Sequence, residues 1–132
     1  KGVGKQFLPA FQSCNKVSYM LPKASRVEQY VTVAGDCPFA NWFDSLDTQA
    51  ALKVRTAIAR MESGNMGDAK PVGSGVSERR INYGPGYRIY FGKDGNALVL
   101  LLTGGTKKRQ QKDIDQAKAL WSDYKKRKRK EG

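Results

Sequence analysis

Residues Gly84–Gly105, GPGYRIYFGKDGNALVLLLTGG, read as two apolar strands joined by a tight turn at Asp94-Gly95, a strong hairpin signal. The second strand, ALVLLLTGG, is apolar on both faces, which predicts a position inside a sheet rather than at its rim. The first carries Arg88 at its centre, between Tyr87 and Ile89. A guanidinium there is either the solvent face of a half-buried sheet or the floor of an anion-binding groove.

Working outward, alternation sets Tyr87, Ile89 and Phe91 on one face and Arg88 with Tyr90 on the other. Upstream, a further strand is expected from about Val76, in a stretch interrupted by glycines. If Ile81 is its core residue, Arg80 and Glu78 turn to the side of Arg88, with Lys107 and Lys108 leaving the third strand beside them. Tyr83 and Tyr90 lie nearby. Such an arginine pair with lysines can hold a phosphate through bidentate hydrogen bonds and stabilise charge developing on it. The plainer alternative is a solvated face on which Glu78 pairs with Arg80 or Arg88, with the tyrosines as sheet filler.

Two helices precede these strands. Phe39, Trp42, Phe43 and Leu46 fall at helical spacing behind Pro38, a residue suited to a first turn. Asp47 and Thr48 offer a new N-cap. Ala50, Val54, Ala57, Ile58 and Met61 then form a second stripe, ended by Gly64-Asn65. Before them, EQYVTVAG from Glu28 alternates and is rich in strand formers. At the other end Ile114, Ala117, Trp121 and Tyr124 mark an amphipathic helix that is expected to dissolve into KKRKRKEG. The expected architecture is α+β: one domain, a helical hairpin packed on one side of a mainly antiparallel sheet, in the order β-α-α-β-β-β-α. Arg88 and Tyr90 are expected on its open side. Residues 1–27 show no sustained period and read as an extension prone to disorder, with Met20 as an alternative start.

The 132 residues suit one compact domain. The longest apolar run, ALVLLL, is far short of a membrane span, and no secretory signal is expected. Cys14 and Cys37 have no CxxC spacing and there is no histidine, which argues against zinc and for free thiols in a cytoplasmic protein. No glycine-rich loop has a nucleotide-binding form, and paired carboxylates, a nucleophile elbow and a Cys/His pair are absent. Net charge is +12, of which Thr106–Gly132 carries eleven basic against four acidic residues. That field favours a polyanion, either nucleic acid or an acidic protein.

The runs ESGNMGDAKPVGSGVSERRINYGPGYRIYF and LLLTGGTKKRQQKDIDQAKALW closely resemble the addiction-module killer branch of the RelE/ParE toxin superfamily, near HigB. The resemblance spans about Glu28 to Tyr124. It implies a RelE/ParE-like toxin domain over 28–124, an N-terminal extension over 1–27 and a basic C-terminal tail over 125–132. It further implies a bacterial cytoplasmic toxin silenced by a cognate helix-turn-helix antitoxin, with no membrane partner. Many relatives cut mRNA on the ribosome without a metal or other cofactor. By motif position Arg88, Arg80 and Lys107 take the catalytic roles, with Lys70, Arg79, Tyr83, Tyr90, Lys108 and Arg109 as RNA-binding residues. In that chemistry the ribose 2′-hydroxyl attacks the adjacent phosphate. Two departures stand out. Arg79 occupies a position that is apolar in relatives, and no histidine or tyrosine lies near KDID, where some relatives place a general acid or base. The alternatives are a ParE-like, non-catalytic inhibitor of gyrase and a basic nucleic-acid-binding domain without catalysis.

Overall fold

The computed structural model describes residues 26–131. The expectations for residues 1–25 of the N-terminal extension, including Met20 and Cys14, therefore lie outside the described residues, whereas Arg26 and Val27, assigned to that extension, open the first strand. The chain runs β1 (Arg26–Gln29), α1 (Pro38–Asp44), α2 (Thr48–Glu62), β2 (Ala69–Gly73), β3 (Val76–Ile81), β4 (Tyr87–Asp94) and β5 (Leu98–Thr106). A short 3₁₀ turn, Lys107–Arg109, then leads into α3 (Gln110–Glu131). The strands form one mixed sheet in the order β1-β5-β4-β3-β2. Only β1 and β5 pair in parallel; the three other pairings are antiparallel.

The fold class is therefore α+β, but the element order differs from the expected one by a strand. β2 is missing from the sequence reading because AKPVG looks like a breaker. Pro71 removes a donor and Gly73 weakens an interior strand, yet both are tolerated at a sheet edge, where β2 lies. The hairpin to β3 turns through Gly73, Ser74 and Gly75, all at positive φ. The first strand also differs: it covers Arg26–Gln29, whereas EQYVTVAG is not a strand throughout. After Tyr30 donates its amide to Leu101, the chain folds back on itself. The amides of Thr32 and Gly35 bond to the carbonyls of Asp36 and Thr32. Val31 and Val33 are strand formers left exposed with no strand to pair with.

The local signals for the helical hairpin hold. Pro38 opens α1 and the Asp47 side chain accepts the Ala50 amide at 2.8 Å, capping α2. Ala50, Val54, Ile58 and Met61 are buried against Ile89, Phe91, Val99 and Leu101. At the β4–β5 connection Asp94 pairs with Leu98 around a three-residue loop that begins with Gly95 at positive φ.

The opposite face is where the expectation of an open side fails. α3 covers it, burying Val76, Tyr90, Leu100 and Leu102 against Ile114, Ala117 and Trp121. The molecule thus has three layers, which is why β5 is apolar on both faces. The basic stretch from Lys125 onward does not dissolve into a tail but continues α3 to Glu131. Its C-terminal half is pinned to the sheet. The Tyr124 hydroxyl donates to Asp94 at 2.6 Å and Lys128 pairs with the same carboxylate. Tyr30 bonds to Asp123, and Arg127 donates to the Tyr30 hydroxyl at 2.9 Å and to the Val31 carbonyl at 2.8 Å. Burial and the bond to Asp94 push the Tyr124 phenol up to about 12, so this clasp persists through neutral pH.

Close docking of α3 needs glycine. Trp121 lies on Gly92 and Gly75, and a Cβ at Gly92 would sit 2.5 Å from the indole ring. Gly92→Ala is expected to overpack this contact and cost about 1–3 kcal/mol. Urea denaturation should show a lower midpoint with an unchanged slope.

Candidate functional site

The register places Arg80 opposite Arg88 and Arg88 opposite Gly105. Glu78 stands opposite Tyr90, one pair along the same face. Arg80, Glu78, Arg88 and Tyr90 therefore do share a face, as alternation predicted. The face is not open. Glu78 is fully buried, Arg88 is 6% exposed and Tyr90 is fully buried.

Glu78 is the centre of this cluster. Its Oε2 accepts from Arg88 Nε at 3.3 Å and lies 3.8 Å from Arg80 Nε; its Oε1 accepts from Gln110 at 2.8 Å. Arg88 also donates to the Gly86 carbonyl at 3.2 Å. The pairing of Glu78 with the strand arginines, the plainer of the two readings, is the arrangement present. Tyr90, expected to touch RNA, is sealed under α3. Burial and the fields of Glu78 and Asp113 raise its pKa far above the usual phenol value, and its full burial leaves no ring face open to a base.

The remaining expected residues scatter. Lys107, Lys108 and Arg109 are exposed in the 3₁₀ turn at this end of the sheet, held there by the Lys107 amide bonding to the Gly86 carbonyl at 2.9 Å. Arg80 is partly exposed and extends toward Asp68, also at 3.8 Å. Lys70 lies opposite Glu78 on β2, exposed at the sheet rim. Tyr83 does not join the basic cluster. It packs on the α1–α2 side, stacked against Tyr87, with the Lys53 ammonium 5.2 Å from its ring centre. Arg79 alternates to that side as well and is buried there.

β5 adds a feature that alternation could not show. Phe91 pairs with Leu101 but Tyr90 pairs with Thr103, so Leu102 is the extra residue of a β-bulge. The bulge resets which side each residue faces. Gly104 meets Trp42 of α1, where a Cβ would lie 2.2 Å from the ring, and Gly105 meets the Asp113 carboxylate of α3. Past β1 the rim of β5 opens into a cleft of about 520 Å³, lined by Trp42, Gly104, Gly105, Thr106, Arg109 and Asp113 among others.

Asp113 was not singled out by sequence reasoning. It is 5% exposed, its Oδ2 is buried without a hydrogen-bond partner, and its Oδ1 lies 3.9 Å from Arg109 Nε. Burial raises its pKa against the opposing pull of Arg109 and Lys112. The available signal was KDID directly after GGTKKRQQ: a carboxylate in the first turn of a helix that begins beside a double glycine. Asp113 can give up a proton, and Arg109 can hold an anion, within one cleft. Among the described residues no group of three His, Cys, Asp or Glu side chains could hold a metal ion. No helix among them is long and apolar enough to cross a membrane.

Two outcomes test this electrostatic picture. Arg88→Ala leaves Glu78 short of its closest cation and is expected to lose about 3 kcal/mol in chemical denaturation, with Glu78→Gln in the same chain restoring part of it. A side chain on a solvated face would give almost no change. For Asp113 the sign follows from its raised folded-state pKa: its contribution is fully present below the ordinary aspartate value and lost as pH rises through the folded value. The Asp113→Asn variant should therefore gain stability relative to the parent as pH is raised from about 3.8, and denaturation midpoints from acid to neutral pH read that directly.

The chain is similar to an uncharacterized protein of Haemophilus influenzae, 45% identical over 83 residues, which cover 62% of this chain and 84% of the relative. No family model matches the chain.

Proposed function

Because the chain belongs to one family with that H. influenzae protein, whose description names no activity, its function has to be argued from the site. We propose that it is the toxin of a toxin–antitoxin module, a bacterial cytoplasmic endoribonuclease that cuts mRNA on the ribosome without a metal. The resemblance of its β2–β4 and β5–α3 sequence to RelE/ParE killer proteins supports the class. The observation that carries the chemistry is the pairing of Asp113, a carboxyl whose protonated form is favoured by burial, with Arg109 in one cleft.

RNA supplies its own nucleophile. The 2′-hydroxyl gives its proton to solvent water as its oxygen bonds to the neighbouring phosphorus. The bond to the 5′-oxygen breaks, and a 2′,3′-cyclic phosphate and a 5′-hydroxyl remain, the carboxyl that protonates the leaving oxygen being reprotonated from solvent. Arg109, with Lys107 and Lys108 beside it, binds the phosphate and stabilises its added charge. Asp113 donates a proton to the departing 5′-oxygen. Arg88 acts here through Glu78: the Arg88–Glu78–Gln110 chain fixes the start of α3, and hence Asp113, over β5. It is a positioning residue. A helix-turn-helix antitoxin with acidic segments would meet the same basic end.

Expression of the chain in bacteria should stop growth and leave mRNA fragments ending in 2′,3′-cyclic phosphate. Asp113→Asn and Arg109→Gln, both outside the Glu78 cluster, should reduce cleavage by about a hundredfold or more. Wild-type activity should fall as pH rises through the Asp113 value. Intact mRNA together with loss of gyrase supercoiling would replace this reading with the non-catalytic one.

A further inference from the structure

On the α1–α2 side, away from the Asp113 cleft, α2 and β3 enclose a second hollow of about 330 Å³. Its walls carry Lys53, Arg60, Arg79 and Arg80, with Asp68 and Asn82 at the rim. Four basic side chains thus share the hollow with Asp68, and Arg80 also reaches Glu78. Lys53 and Arg60 stand exposed on α2, but Arg79 does not: it is 8% exposed. Its guanidinium lies flat on the backbone of Gly67, where a Cβ would come within 2.5 Å of it.

The guanidinium of Arg79 has few acceptors. One nitrogen donates to the Arg80 carbonyl at 3.2 Å, and Nε is buried with no hydrogen-bond partner. Arg80 lines the same hollow but is already ion-paired, its Nε lying 3.8 Å from both the Asp68 and the Glu78 carboxylates. Burial and the neighbouring Arg60 charge disfavour the charged form of Arg79. A covered guanidinium beside a second cation is costly unless an anion joins it. Arg79, with Arg60 and Lys53 beside it, suits an anion that has several acceptor oxygens, as a phosphodiester has.

We propose that this hollow binds a backbone phosphate of a nucleic-acid strand, a contact separate from the cleft at Asp113. The choice of RNA as that strand rests on the endoribonuclease reading; the phosphate site itself rests on the hollow. Tyr83 stands at its margin under the Lys53 ammonium, so an unpaired base next to the bound phosphate has an aromatic neighbour. Arg79, at a position that is apolar in the toxins the sequence resembles, then serves as an anion ligand.

The test is direct binding of a fluorescein-labelled 12-nucleotide single-stranded RNA to the intact chain across a salt series, without any cleavage readout. Arg60→Gln and Lys53→Gln are exposed helix positions at which folding should survive, and each is expected to weaken binding equally for unrelated sequences. The slope of log K against log salt should fall by about 0.7 for each phosphate contact removed. In ¹⁵N spectra the Arg79 Nε resonance should shift on adding the RNA, and an equally charged polyglutamate should not reproduce it. Wild-type affinity and slope in the double variant Lys53→Gln/Arg60→Gln would overturn the proposal, as would displacement of the RNA by polyglutamate at equal charge. A chain that binds in this way but cuts nothing would keep the phosphate site and lose the nuclease reading. Cleavage with no change in the double variant would do the reverse.

Discussion

A carboxylate with no access to water has to be neutralised from within, and Glu78 sets that condition for this molecule. Arg88 comes from the next strand, Arg80 from two residues along the same strand, and Gln110 from the first residue of α3. The cluster ties β3, β4 and the start of the last helix together, and it lies beside the apolar layer built on Tyr90, Leu102 and Ile114. Removing Arg88, its buried and closest cation, leaves Glu78 to the longer contact with Arg80 and the neutral Gln110, so these groups are energetically coupled. The basic groups that face solvent at this end, Lys107, Lys108 and Arg109, lie just outside it.

The two tryptophans show how the layers close over the sheet. Trp42 descends on Gly104 from one side and Trp121 on Gly92 and Gly75 from the other. Each large ring replaces side chains that the strand omits, which brings a helix nearer than any Cβ would allow. The glycines in GSG, FGKDG and TGG therefore serve packing and turning, and the phosphate loops they superficially resemble are not needed to account for them.

Local chemistry was the legible part. Pro38, the Asp47 cap, the α2 stripe and the alternation around Arg88 each depend on neighbours a few residues away, and each is where the sequence put it, while the hairpin turn falls over residues 95–97 with Asp94 still in its strand. Three features depend on distant partners and were not legible. β2 is a strand only because β3 offers it an edge. The bulge at Leu102 reverses the facing of Gly104 and Gly105, which a strict period of two cannot register. Above all, which side α3 would cover depends on Trp121 finding Gly92 some thirty positions earlier. That one placement turned an expected open groove into a buried ion cluster, and it left the exposed Arg109, with the cleft beside Asp113, as the side that faces solvent.

The parallel pairing of β1 with β5 has a consequence for the order of assembly. Val27 lies beside Val99, so the first described strand waits for a partner about seventy residues later. Such a non-local contact is entropically expensive to close and slows folding. On a translating ribosome the α1–α2 hairpin can form early, but β1 has no parallel neighbour until β5 emerges, and α3 follows β5. Until α3 emerges, the apolar β5 residues Leu100 and Leu102 have nothing to cover them. The nascent chain is therefore most exposed to self-association, or to capture by a chaperone, in the short interval between the synthesis of β5 and that of the helix that closes over it.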